Sequence, residues 1–213
     1  MSNHDAPHYI AWRKSRIDKL EEIFGKEFFR GKRVLECGAG NGGVGRYLRE
    51  NWLADVTFTE GRPSLIKVIE DTNPGATIHL IDHENSWNVG SFDVVIHWGL
   101  LYHLNNWREE LKCAFGAVAD GGVLVLESEI LNTTHIAEMK IFEFRTMDDQ
   151  SLSGTGTRMS AAAVEHELQH LCCGFRRYDD TNLNADIHHY DWKVDDSKQC
   201  HVSGQRRFWV FQK

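Results

Sequence analysis

The segment Val34-Leu35-Glu36-Cys37-Gly38-Ala39-Gly40-Asn41-Gly42-Gly43 constrains the fold more than any other part of the chain. An apolar run of strand character enters glycines that open a helix, which is how the first crossover of a parallel sheet begins. Glycines let the backbone approach a ligand closely and supply positive φ angles, and the first turn of the helix offers free amide N–H groups. The rhythm continues downstream. Strands are expected at Arg33 to Cys37, Asp55 to Glu60, Thr77 to Ile81, Phe92 to Trp98 and Val123 to Ser128. Helices are expected at Gly43 to Asn51, Pro63 to Asp71, Asn106 to Val118 and Ser160 to Cys172, where apolar residues recur at helical spacing. Past Gly174, Phe175 to Asp179 and Arg207 to Phe211 read as an antiparallel closing pair. Tyr9 to Phe29 carries Ile10, Ile17, Leu20 and Ile23 at helical spacing, so an amphipathic helix should pack on the domain, placed to act as a lid. Asn132 to Gly156 reads as an insertion.

A chain of 213 residues without internal repeat or Pro-rich linker fits one domain. No run of eighteen apolar residues exists to cross a membrane, and Met1 to Pro7 lacks the basic start and apolar core of a signal peptide. The five cysteines are odd in number and two are adjacent, a poor disulfide framework that points to free thiols in a reducing cytoplasm. A net charge of −7 disfavours long nucleic acid as a partner, because phosphate tracking needs a broad basic surface. Oligomeric state is not legible.

The glycine loop admits two ligands. Gly38, Gly40 and Gly43 satisfy G-x-G-x-x-G, and Glu60 follows about twenty residues on, at the end of the next strand, as a dinucleotide site requires. An NAD-dependent oxidoreductase is therefore one reading. Glu36 separates it from the other, since a carboxylate at the strand end would face the phosphates of a dinucleotide. S-adenosylmethionine brings an ammonium and a sulfonium to the same place, where the carboxylate favours both charges. Glu60 serves either reading, because a carboxylate can accept hydrogen bonds from both ribose hydroxyls.

Glu36-Cys37-Gly38-Ala39-Gly40-Asn41-Gly42 resembles the first motif of the class I S-adenosylmethionine-dependent methyltransferases. Glu60, followed by Gly61, resembles the family's ribose-binding acid, and Ile81-Asp82-His83 resembles the acid after strand three that meets the adenine amino group. Phe92 to Ile96 resembles the fourth strand. His97-Trp98-Gly99-Leu100-Leu101-Tyr102-His103-Leu104 resembles the strand-to-helix turn of small-molecule members and of transferases acting on modified wobble uridine. The resemblance implies an α/β fold, doubly wound and mostly parallel, with seven strands in the order 3-2-1-4-5-7-6 and the last antiparallel. It implies residues 1–30 as a lid, 31–130 as the cofactor-binding half and 131–213 as the acceptor side. The donor site would comprise Glu36, Gly38, Ala39, Gly40, Gly42, Glu60, Gly61, Asp82, His83, His97 and Trp98. Trp87 either stacks on the adenine or shields the sheet edge. A cofactor-binding module without catalysis is a further alternative.

Methyl transfer from a sulfonium is an in-line displacement that proximity alone promotes strongly. A hydroxyl acceptor gains further from a general base, and among the 12 histidines His103 is the candidate, just after the fourth strand. The acceptor is expected to be a small molecule or sugar, methylated on a hydroxyl or carboxyl group. Arg158, in Ser153-Gly154-Thr155-Gly156-Thr157-Arg158-Met159-Ser160, could bind an anion beside a helix start, with Ser160 alternatively an ordinary N-cap. His189 and Tyr190 supply aromatic and hydrogen-bonding groups for an acceptor; adjacent histidines without cysteine spacing suit zinc poorly, and no metal is expected. No Asn-Pro-Pro-Tyr type segment follows strand four, which departs from the families that methylate exocyclic amines.

Overall fold

The computed structural model describes residues 7–131, 136–143, 151–171, 174–178 and 205–213. Five helices and nine strands are found among them. The order is α1 (Pro7–Phe24), a 3₁₀ turn (Lys26–Phe29), β1 (Arg33–Cys37), α2 (Gly43–Trp52), β2 (Asp55–Glu60), α3 (Pro63–Thr72), β3 (Thr77–Leu80) and β4 (Phe92–Trp98). A second 3₁₀ turn (Leu101–His103) follows, then α4 (Trp107–Gly116), β5 (Val118–Ile130), β6 (Met139–Glu143), β7 (Thr155–Met159), α5 (Ala161–Leu171), β8 (Phe175–Tyr178) and β9 (Gln205–Gln212).

Seven strands form one sheet in the order β3-β2-β1-β4-β5-β9-β8, parallel throughout except that β9 runs antiparallel to both β5 and β8. The expected order holds, with β8 and β9 as its sixth and seventh members. The central strands are buried on both faces, which is why Val34-Leu35, Val94-Val95-Ile96 and Leu124-Val125-Leu126 read as continuous apolar runs rather than alternating ones. Helix α4 covers one face through Trp107, Leu111 and Ala114. On the other, α2 contributes Val44, Leu48 and Trp52, and α1 contributes Ile17 and Leu20. With more than a dozen buried aliphatic and aromatic side chains on each face, each worth roughly 1.5–3 kcal/mol, burial on the two faces dominates the folding energy.

Three expectations are corrected here. The N-terminal helix stops at Phe24 because Gly25 takes φ 73°, and the chain continues as a separate 3₁₀ turn that buries Phe29. Strand β5 begins five residues earlier than expected, since Val118 pairs with Phe92 before the glycine pair Gly121-Gly122. The presumed insertion contributes to a two-stranded antiparallel ladder, β6 with β7, in which Met139 faces Met159 and Glu143 faces Thr155. Its glycines and threonines concealed the strand pattern, because Thr155-Gly156-Thr157 offers no apolar alternation to read.

Candidate active site

Strands β1, β2 and β4 end side by side, and the turns that leave them border a cleft of about 1080 Å³, open mouth included. Glu36 lies at its floor. The side chain is buried under the start of α2, where Oε2 accepts the Gly45 amide at 2.8 Å. A Cβ on Gly45 would lie 2.6 Å from that oxygen and would collide with the Phe58 ring, so glycine is what lets the carboxylate reach the helix. Burial pushes the Glu36 carboxyl up to about 7, and Glu60 adds to the rise, outweighing the Gly45 hydrogen bond and the charges of Arg13 and Arg16.

The loop after β1 is tied to the end of β2. Gly38 and Gly40 both take φ near +60°, which turns successive amides toward that strand. The Gly38 N–H points at Thr59 Oγ1 (3.3 Å), the Ala39 N–H donates to the Thr59 carbonyl (2.9 Å) and the Gly40 N–H donates to Glu60 Oε2 (2.8 Å). The other Glu60 oxygen accepts the Gly61 and Arg62 amides at 2.9 and 3.0 Å. Asp82 borders the same cleft and organises its own turn by accepting from the Glu84 amide and the Asn85 side chain. His83, Trp98 and His103 complete the part of the wall that the sequence anticipated.

Three predicted residues, His97, Gly42 and Arg158, are not brought into the cleft, and neither is Trp87, whose place the sequence left open. His97 is fully buried on the opposite face of β4, with Nε2 2.9 Å from Glu110 Oε1. Adjacent residues of a strand point to opposite faces, so His97 and Trp98 do not line one cavity. Gly42 caps α2 and faces α3, where a Cβ would meet Asn73 Nδ2 at 3.0 Å and Ile69 at 3.2 Å. Arg158 lies on β7 and forks onto Glu129 at 2.7 and 3.3 Å, while Ser160 accepts the Ala163 amide as the cap of α5. Trp87 faces away from the cleft and donates its indole N–H to Glu110 Oε2 at 2.6 Å. His189 and Tyr190 fall outside the described residues.

The roof was missed by sequence reasoning. Arg13 and Arg16, three apart on α1, both reach the cleft: Arg13 donates to Asn41 Oδ1 at 2.6 Å, and the Arg16 guanidinium stands 5.6 Å over the Trp98 ring. The signal was present, as two cations one helical turn apart beside an apolar stripe. Arg16 also pairs with Glu127 of β5, which is fully buried and takes Arg206 of β9 at 2.7 Å; Arg206 in turn donates to Tyr102 Oη at 3.2 Å. Ser151 and Leu152 close the far side, with Leu152 so near Gly61 that a Cβ there would lie 2.5 Å from it.

His103 borders the cleft where the sequence places it, in surroundings that oppose a positive charge. Its ring is buried against Tyr102, 4.2 Å between centroids. Burial first, then the charges of Arg158, Arg206 and Arg62, hold it down to about 3. It is therefore neutral at physiological pH, yet it is too weak a base to strip an ordinary hydroxyl, whose proton it would have to accept far uphill.

The sheet order, with its single antiparallel strand and a cleft above the parallel strand ends, defines a class I methyltransferase fold. The methyltransferase domain model matches residues 3–195, and the chain belongs to that family. This sets aside the dinucleotide oxidoreductase and the non-catalytic module. Among solved structures, the N-terminal domain of EvdMO1, obtained in the presence of SAH and D-fucose, superposes with a TM-score of 0.67 at 17% identity, over 99% of this chain and 84% of that one. CalS10, an amino pentose methyltransferase from Micromonospora echinaspora, gives 0.62 at 15% identity over 95% and 92%. Coclaurine N-methyltransferase, bound to N-methylheliamine and SAH, gives 0.63 at 15% identity over 94% and 72%. No curated protein matches the sequence. Among the described residues no helix is long and apolar enough to cross a membrane.

Proposed function

We propose that the chain binds S-adenosylmethionine in this cleft and transfers its methyl group to the carboxylate of a small-molecule acceptor. The observation that carries the reading is Glu36, a buried carboxylate at the glycine loop that burial holds at about 7. An acid with that environment favours an arriving cation, and the donor supplies a methyl group on a cationic sulfur when bound. Gly38, Ala39 and Gly40 give the backbone its close approach, Glu60 offers carboxylate lone pairs to the ribose, and Asp82 and His83 stand at the adenine end. The structures of similar fold, one obtained with D-fucose, one an amino pentose methyltransferase and one bound to N-methylheliamine, leave the acceptor open to argument from chemistry.

A carboxylate acceptor fits this wall better than a hydroxyl. It is ionised at neutral pH and needs no base, and Arg16 and Arg62 are among the residues lining the cleft around His103, which its burial and neighbouring arginines make a poor base. Residues 1–30 act as the lid, 31–130 hold the donor and 131–213 shape the acceptor side of a single domain. The free thiols of Cys37 and Cys113 suit a cytoplasmic protein, and the acidic balance disfavours long nucleic acid. Turnover of labelled donor against pools of carboxylates, sugars, phenols and short RNAs tests the reading. Label in a carboxylate pool as a base-labile methyl ester is expected; label confined to sugars or phenols overturns the acceptor assignment.

A further inference from the structure

Beneath the cleft lies a polar cluster of which the reading above uses only His83. Glu110 of α4 is fully buried, and three N–H groups converge on it: His83 Nδ1 and His97 Nε2 on Oε1, each at 2.9 Å, and Trp87 Nε1 on Oε2 at 2.6 Å. Burial alone would raise this acid, but the His83 charge and the hydrogen bonds from both histidines hold it at about 2, so it is an obligate acceptor. His83 must therefore turn an Nδ1 proton toward Glu110. Its other nitrogen, Nε2, lies 3.0 Å from Thr59 Oγ1.

Thr59 carries the contact onward. Its hydroxyl oxygen faces the Gly38 amide at 3.3 Å and the Glu36 carbonyl at 3.4 Å. The hydroxyl donates to the Glu36 carbonyl and its oxygen accepts from the Gly38 amide, with His83 Nε2 in hydrogen-bond contact beside it. A continuous line of polar contacts thus runs from α4 through the cleft wall to both ends of the Glu36–Gly38 turn. Apolar side chains would fill the same volume without the cost of burying a charge, two imidazoles and an indole N–H.

We infer that Glu110 is a positioning residue for the donor, acting through His83 and Thr59 to fix the Gly38 amide and the Glu36 carbonyl. The inference rests on the reading that this cleft holds S-adenosylmethionine. Neither Glu110 nor Thr59 is a catalytic residue.

The test is donor affinity in four variants of the full chain, by calorimetry at a temperature well below each thermal midpoint. Thr59→Val keeps the shape and removes the hydroxyl, and should weaken S-adenosylmethionine binding about threefold to tenfold, the range of one neutral hydrogen bond. Thr59→Ser restores the hydroxyl and should stay within about twofold of the parent. Glu110→Gln should weaken binding by a similar factor. The double variant should lose no more than the weaker-binding single variant, because both changes interrupt one line. A merely structural cluster predicts lower thermal midpoints with unchanged affinity and additive effects, and either result overturns the assignment. If Glu110→Gln does not fold, the Val and Ser pair still decides. Absence of donor binding by the parent protein would overturn the function and this assignment with it.

Discussion

Lowering the pH from 8 to 6 should weaken S-adenosylmethionine binding about tenfold through Glu36 alone. The carboxyl is pushed up to about 7, so the ionised form that attracts the donor's cationic centres is about nine-tenths populated at pH 8 and one-tenth at pH 6. If only that form binds, apparent affinity changes by the ratio of those populations, about 1.4 kcal/mol. Binding at pH 6 should then release close to one proton, which calorimetry in two buffers of different ionisation enthalpy measures directly. The ligand's own amino group also titrates, so the contribution of Glu36 is the difference between the parent and Glu36→Gln. The sign for stability is opposite to that of an ordinary carboxylate. The folded pKa lies above the unfolded value, the native state holds the extra proton, and the ligand-free protein loses this increment as pH rises from about 4.5 through 7. Its thermal midpoint should fall over that window relative to Glu36→Gln. Equal affinity at pH 6 and 8, or the same pH dependence in the variant, would refute the reasoning.

Glu60→Ala should cost roughly 1.5–3 kcal/mol of donor affinity by calorimetry, since the ribose and the Gly40 amide lose one charged acceptor. His103→Ala should leave the pH–rate profile between 5 and 8 without a missing limb, because the ring is already held at about 3; a limb near 6.5 that vanishes in the variant would reinstate His103 as base. Glu127→Gln should lower stability by about 3–5 kcal/mol in urea unfolding, as it strips the shared partner from two buried guanidinium groups.

The sheet was legible because its signals are local. A glycine loop between an apolar run and a helical pattern, and then β-rich runs at regular intervals, needed no long-range information. The floor of the cleft followed from the same motifs, since Glu36, Gly38, Ala39, Gly40, Glu60, Gly61, Asp82 and His83 lie at strand ends and in the turns that leave them. The roof did not, because Glu127 takes Arg16 from 111 positions away and Arg206 from 79, and sequence spacing carries no trace of such pairings. His97 failed for a different reason: a motif was carried over as a block, although its register on β4 sends alternate residues to opposite faces. His103 was placed correctly, but its proton affinity depends on arginines from three other segments.

The clamp of Arg16, Glu127 and Arg206 also sets an order of assembly. Strand β9 lies between β5 and β8 in the sheet but follows both in the chain, so until residues 205–212 are made β5 and β8 lack the strand that joins them. Helix α1, which precedes every strand of the sheet, is not fully anchored over the cleft before that moment, because Arg206 completes the charge balance at Glu127 that Arg16 shares. A nascent chain therefore carries its glycine loop without a finished roof until β9 has been made. Until β9 pairs, the open β5 edge is the segment a chaperone has most to protect.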